Sequence, residues 1–377
     1  MPVVLNLDGK HPKCRIPNNT WRISLDSNDR ELVEAYWGLS YAAGPLDWSQ
    51  LSRLKELKDV TYTGRDATVL DYLASPKCTV STFSWHESGR SRFDFSNAKA
   101  LDNIGIEVTG KLLHIKLPTH GRFEYLRILQ PPKGCRATVV CPNRGEGVTL
   151  MIYGPTFLAI PGLKQIRRLQ LFDCRDVDLS NIAKAYPHLE SLDISGKAVT
   201  LRHEECLTKL KSLEELCIQN CYTMDVTAFP DPTHLRALES LDIDGLRADD
   251  AEALKAKYQS LEELSLRGKR TAEWIANNLD NPFRDWSDYF GAAAGKKAMS
   301  AWNTANNDLT KLGKKVNAKK SATILKAFVE VFNQLEAKSG LETDQRETIY
   351  DAFMTLTKKL PSGMVSETHY YDWAAFA

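Results

Sequence analysis

IRRLQL at 166–171, LESLDI at 189–194, LEELCI at 213–218, LESLDI at 238–243 and LEELSL at 261–266 are one phrase written five times. Its first, fourth and sixth residues are aliphatic in every copy: Ile166/Leu169/Leu171, Leu189/Leu192/Ile194, Leu213/Leu216/Ile218, Leu238/Leu241/Ile243 and Leu261/Leu264/Leu266. Successive copies begin 23, 24, 25 and 23 residues apart. A period of that size marks a solenoid, because one such unit cannot bury its own apolar face and must stack on the next. Alternation at the end of each phrase makes a short strand with its leucines on one side. The remainder of each unit returns the chain to begin the next parallel strand.

Fainter copies lie upstream. LSRLKELKDVTYTG at 51–64 aligns without gaps on LTKLKSLEELCIQN at 207–220, matching Leu51, Leu54, Leu57, Val60 and Tyr62 to Leu207, Leu210, Leu213, Leu216 and Ile218. Weaker units are expected at Cys78/Ser81/Phe83, Leu101/Ile104/Ile106 and Phe123/Leu126/Ile128. Another is required near Val148 and Leu150, since 43 residues separate Phe123 from Ile166.

The phrase resembles the leucine-rich repeat family, in which an Asn or Cys follows at the ninth position. Cys174 and Cys221 stand there in two units; Lys197, Leu246 and Lys269 replace it in the others, so irregular turns are expected. The resemblance implies an α/β solenoid, a horseshoe with a parallel concave sheet and, as in cytoplasmic members, helices on the convex side. Residues 249–258 support that reading, with acidic residues first, lysines last and helix formers between. Residues 202–211 read similarly.

Three regions follow: an N-terminal cap at 1–45, the solenoid at 46–270 and an all-α domain at 271–377. In the cap, Trp21 to Leu25 alternates as a strand and 26–29 carry turn chemistry. A short helix at 31–37 and a degenerate repeat at 37–41 are expected next. Beyond 271 the period vanishes. Helices are expected at 296–312 and at 319–338, where Ile324, Phe328, Phe332 and Leu335 form one stripe. Gly340 ends the second; Asp344, with Glu347 in capping-box position, begins another whose stripe is Ile349, Phe353, Leu356 and Leu360.

Composition narrows the function. The 377 residues carry 49 basic and 48 acidic side chains, so no global field favours nucleic acid or an anionic membrane. The opening MPVVLNLDGKHPKCR lacks the basic-then-apolar order of a signal peptide, and no apolar run reaches membrane-spanning length. Eight scattered cysteines are too dilute for a disulfide framework. A cytoplasmic protein with free thiols is expected. No cofactor motif is present: there is no glycine-rich phosphate loop, nucleophile elbow or zinc signature, and Cys217/Cys221 have poor metal spacing. Some bacterial leucine-rich proteins are ubiquitin ligases with a catalytic cysteine in a helical domain after the repeats; here the last cysteine is Cys221, inside the repeats. The lysines at 311, 314, 315, 319 and 320 read as a solvated helix end rather than a nucleic-acid site.

The informative surface is the strand face opposite the leucines. It is expected to show Asp59, Thr61 and Thr63, then Val80, Thr82 and Ser84, then Asn103, Gly105 and Glu107. Tyr125, Arg127, Arg168 and Phe172 make its centre aromatic and basic, whereas Asp193, Glu215, Asp242, Asp244 and Glu263, against Arg267 alone, make its C-terminal end acidic. One-sign clustering beside aromatics suits a non-enzymatic module that binds a protein partner, a basic one at the acidic end, as an inhibitor or immunity-type protein would. The other reading places an enzyme or effector activity in the helical domain, with Asp285, Asp288, Glu330, Asp344, Glu347, His369 and Asp372 as its polar residues.

Overall fold

The computed structural model describes residues 2–7, 14–25, 45–120, 122–313, 316–361 and 363–376. The expected turn at 26–29, helix at 31–37 and degenerate repeat at 37–41 lie outside them, as do Lys314 and Lys315. The chain forms two compact units, Met1–Lys269 and Arg270–Ala377.

The first unit is built on one parallel sheet of 11 strands in sequence order. These are Arg22–Leu25, Asp59–Thr63, Thr82–His86, Asn103–Glu107, Tyr125–Leu129, Thr149–Tyr153, Arg168–Phe172, Ser191–Ile194, Glu215–Gln219, Ser240–Asp244 and Glu263–Arg267. Register is constant: Leu169, Leu192, Leu216, Leu241 and Leu264 face one another in a row, as do Leu171, Ile194, Ile218, Ile243 and Leu266. All but the last two, on the edge strand, are fully buried. Full burial contributes about 1.5–3 kcal/mol per such side chain, so the apolar rows fix the register.

The early half keeps this register with different side chains. Val60 pairs with Phe83 and Tyr62 with Trp85, so the third unit is Val80/Phe83/Trp85. The sequence spacing placed it two residues early, at Cys78/Ser81/Phe83. Val80, expected on the solvent face, is fully buried. Aromatic rings replace leucines here, with Trp85 edge-on to Phe93 at 5.4 Å and to Phe83 at 5.9 Å, and a leucine search passes over them.

The return side also differs along the array. Arg92–Asp94, Leu112–Lys116 and Arg136–Val140 form a second, three-stranded parallel sheet. Phe93, Leu113, Ile115, Ala137 and Val139 point inward at period two, which is a strand pattern. Helices return the chain at Leu179–Ala185 and Ala248–Tyr258. Residues 202–211 are not one helix: strand Thr200–Arg202 ends there, His203 is left-handed at φ 61°, and a 3-10 turn spans Glu204–Lys209.

Strands end by a common device. Glu87, Gln130, Asp173, Asn220, Gly245 and Gly268, each the residue after a strand, all have positive φ. One left-handed residue turns the chain out of the sheet, and Gly, Asn and Asp accept it most readily. Cys174 and Cys221 follow immediately and are buried; burial pushes both thiols up to about 12.

The second unit is helical: Ala272–Asn278, Trp286–Phe290, Ala292–Leu312, Ala318–Ser339, Thr343–Thr357 and Glu367–Trp373. Phe283, Phe328 and Phe332 meet at its centre, with Leu325 and Val329 completing the stripe where Ile324 is only half-buried. Asn317 caps the longest helix through Oδ1, which accepts from Lys320 N at 2.8 Å. The capping box of the next helix is Glu342 with Gln345, two residues before the expected Asp344 and Glu347. Both pairs have the right spacing, and the Asp344 carboxylate instead accepts from Gln345 N at 2.9 Å. No helix of the described residues is long and apolar enough to cross a membrane.

Candidate functional site

Constant register writes the solvent face of the sheet as three rows. The first includes Arg22, Asp59, Thr82, Asn103, Tyr125, Thr149, Arg168, Ser191, Glu215, Ser240 and Glu263. The second runs through Ser84, Gly105, Arg127, Met151, Gln170, Asp193, Cys217, Asp242 and Ser265. The third includes Thr63, His86, Leu129, Tyr153, Phe172, Gln219, Asp244 and Arg267.

At the centre, Arg127 lies along the face. Its Nε donates to Asn103 Oδ1 at 3.0 Å and its Nη2 to Ser84 Oγ at 3.0 Å. Gly105 makes room between them, since a Cβ there would come within 3.2 Å of Ser84 Oγ and 3.4 Å of Arg127 Nε. Burial lowers the Arg127 pKa and raises that of Asp59, which Arg22, 3.3 Å away, and Arg127 partly offset. Tyr125 and Arg168 are exposed, and Phe172 stacks on Tyr153 at 4.6 Å with 19° between the rings. Thr149, Met151 and Tyr153 belong to this centre too; reading only the need for a strand near Val148 left them out.

The C-terminal end is less open than expected. Glu215 and Glu263 are exposed, but Asp193, Asp242 and Asp244 are half-buried. Arg267 donates to Asp242 at 2.7 Å through Nη2. Asp193 Oδ1 is enclosed and has no hydrogen-bond partner among the described residues. Burial raises the Asp193 pKa and the charge of Asp242 raises it further, against a bond from Cys217. Cys217 lies between these carboxylates, its thiol pushed up to about 11 by burial first and by Asp193 second.

All nine predicted site residues (Tyr125, Arg127, Arg168, Phe172, Asp193, Glu215, Asp242, Asp244 and Glu263) therefore share one face, aromatic and basic at its centre and acidic at one end. One strand per repeat, constant register and a buried cysteine after the turn decide the architecture. The first unit has the leucine-rich repeat fold. No family model matches the sequence, and no curated protein matches it. Among solved structures, the repeats are similar to an internalin from Listeria monocytogenes at 16% identity and a TM-score of 0.29, over 60% of this chain and 79% of that one. They are also similar to a leucine-rich repeat protein of Leptospira interrogans at 17% identity and a TM-score of 0.31, over 61% of this chain. The match spans 64% of that second chain, less than two thirds.

In the helical unit, three of the polar residues considered for chemistry make local structural contacts, and the Asp288 side chain lies outside the described ones. His369 Nδ1 accepts from Ser366 N at 3.2 Å in a helix cap, Asp285 pairs with Arg284 at 3.3 Å, and Glu330 accepts from Asn333 at 3.2 Å. Lys311 pairs with Asp308 at 3.5 Å, and Lys319 and Lys320 are exposed at a helix start. No group of three or more His, Cys, Asp or Glu that could hold a metal occurs among the described residues.

Proposed function

We propose that this leucine-rich repeat chain is a non-enzymatic interaction module that holds a protein partner on the solvent face of its sheet. The observation that carries the reading is the segregation of charge along that face. Arg127 and Arg168 stand beside Tyr125 and the Tyr153–Phe172 stack, and carboxylates follow on the last strands. From the strand of Tyr125 to that of Glu263 there are six inter-strand steps, a span of roughly 29 Å at about 4.8 Å each, enough for a protein surface. Exposed aromatics supply anchoring area, and one-sign charge steers encounter.

A basic partner surface suits the acidic end, and the inhibitor or immunity-type role is the form in which such a face blocks a basic enzyme. The test is affinity capture from the source cells with the tagged wild-type chain, with a face variant (Glu215→Lys, Asp244→Lys, Glu263→Lys) and with Lys319→Ser/Lys320→Ser. Loss of one partner from the face variant alone supports the reading; its retention there refutes it.

A further inference from the structure

The three-stranded sheet on the return side, Arg92–Asp94, Leu112–Lys116 and Arg136–Val140, buries one face and exposes the other. Its register places Arg92, His114 and Thr138 in one row, Arg136 beside Leu112, and Val140 beside Lys116 and Asp94. We propose that this outer face binds an extended acidic segment of a partner protein, with apolar side chains over Leu112 and Val140 and carboxylates drawn to Arg92 and Arg136. It is a second surface, and the proposal does not depend on the face of the large sheet.

Charge names the partner. Residues 88–94, 110–116 and 132–140 contain the three strands and the turns before them. Along them Arg90, Arg92, Lys111, Lys116, Lys133 and Arg136 stand against Asp94 alone. The near-neutral total of the whole chain hides this local excess. Lys116 holds Asp94 at 2.9 Å. Arg92, Lys111, Lys133 and Arg136 are exposed and have no ion pair among the described residues. Four such cations around one small sheet leave a positive field that an anionic partner relieves. Guanidinium groups suit carboxylates, which they can hold through two parallel bonds.

Shape narrows the choice. Leu112 is 57% exposed and Val140 53%. They lie one strand apart and four residues along, a separation of about 14 Å from strand spacing and rise. An extended segment turns every second side chain to the same side, so its positions i and i+4 span about 13 Å. The side chain between them crosses the row of Arg92, His114 and Thr138. Arg and Lys reach farther from the sheet than Leu112 and Val140. A flat bilayer therefore meets the cations first and leaves the aliphatics uncovered, whereas peptide side chains descend between them. None of the outward residues is Phe, Tyr or Trp, so the face lacks the rings on which nucleic-acid bases stack.

The test uses the full chain with isotope-labelled Leu and Val methyl groups, the Leu112 and Val140 signals being assigned by Leu112→Ile and Val140→Ile. The probe is the end-capped heptapeptide Asp-Leu-Ser-Glu-Ser-Leu-Asp. Lys-Leu-Ser-Lys-Ser-Leu-Lys reverses its charge, and Asp-Ala-Ser-Glu-Ser-Ala-Asp removes its apolar groups. Saturable shifts at both positions are expected for the probe, at least about fivefold weaker binding for the alanine peptide, and no shift for the basic one. Arg92→Ser/Arg136→Ser should leave the other methyl signals in place, since both side chains are exposed. It should weaken the probe at least about fivefold, and added salt should weaken the wild type. Methyl signals that stay still to the solubility limit of the probe overturn the proposal. So do equal responses to the acidic and basic peptides, or an affinity unchanged in the double variant. Signals that move with phosphatidylserine vesicles or oligothymidylate but not with the probe overturn it as well.

Discussion

Arg127 donates through Nη2 to the Ser84 hydroxyl at 3.0 Å across an intervening strand, passing over Gly105. The flat guanidinium is suited to this because it reaches Asn103 with Nε at the same time. Lysine offers one point charge and cannot hold both positions. Arg127→Lys is therefore expected to lower stability by about 0.5–1.5 kcal/mol for each bond lost. Urea titration of the two proteins measures it, and an unchanged midpoint would mean that the bonds contribute nothing.

Gly196 is one of the positions where neighbouring repeats stack closely. A Cβ built there would stand 1.9 Å from the carbonyl oxygen of Cys174, so the backbones of neighbouring units would have to separate. Gly196→Ala should destabilise by at least about 1–3 kcal/mol. Gly147→Ala, with open space around it, should stay within about 0.5 kcal/mol. Equal unfolding midpoints for both variants would contradict this packing.

Such packing explains what could be read beforehand. The last five repeats were legible because leucine and isoleucine hold the inward positions without exception. The aromatic repeat at Phe83 and Trp85 was not, since a burial pattern made from rings has no leucine period. The face residues were legible wherever the register was, because side chains alternate strictly. Their openness was not: whether Asp193 meets water depends on Cys217 and Asp242 on the next two strands, some 24 and 49 residues away, and no local pattern reports that.

Asp193 gives a pH-dependent signature. Its folded-state pKa lies above the unfolded value of about 3.9, so ionisation is harder in the folded protein. The carboxyl costs nothing below the unfolded pKa, and its penalty grows as pH rises through the folded pKa. Asp193→Asn should match the wild type near pH 3 and exceed it in urea midpoint at pH 7. A lower midpoint for the variant at neutral pH would show that the carboxylate is a net contributor.

Thiol reactivity should separate the turn cysteines from the face cysteine. Cys174 and Cys221 are buried, with thiols pushed up to about 12, whereas Cys217 is half-buried on the solvent face at about 11. N-ethylmaleimide, which is neutral and so is not repelled by Asp193 and Asp242, should label Cys217 in the native state and reach the other two only on unfolding. Peptide mapping by mass spectrometry reads the sites directly, and early modification of Cys174 would mean that the turn opens.

The acidic end makes a kinetic prediction about whatever basic partner is captured. Glu215, Asp244 and Glu263 are the acids to reverse, because Asp193 is enclosed and Asp242 holds Arg267 at 2.7 Å. Replacing those two would disturb the sheet as well as its charge. Reversal of the exposed Glu215 and Glu263 should leave stability within about 0.5 kcal/mol each, and the urea midpoint of half-buried Asp244→Lys is measured beside them, so a change in binding can be assigned to the face. Steered association falls with salt because exposed charges are screened over about 8–10 Å at ordinary ionic strength. The triple reversal should therefore slow association and flatten its salt dependence, with less effect on dissociation. The competing interface is the helix start with Lys319 and Lys320, whose replacement should leave the rate unchanged. Stopped-flow association at two salt concentrations distinguishes them: an unaltered rate for the triple reversal moves the interface off the sheet face.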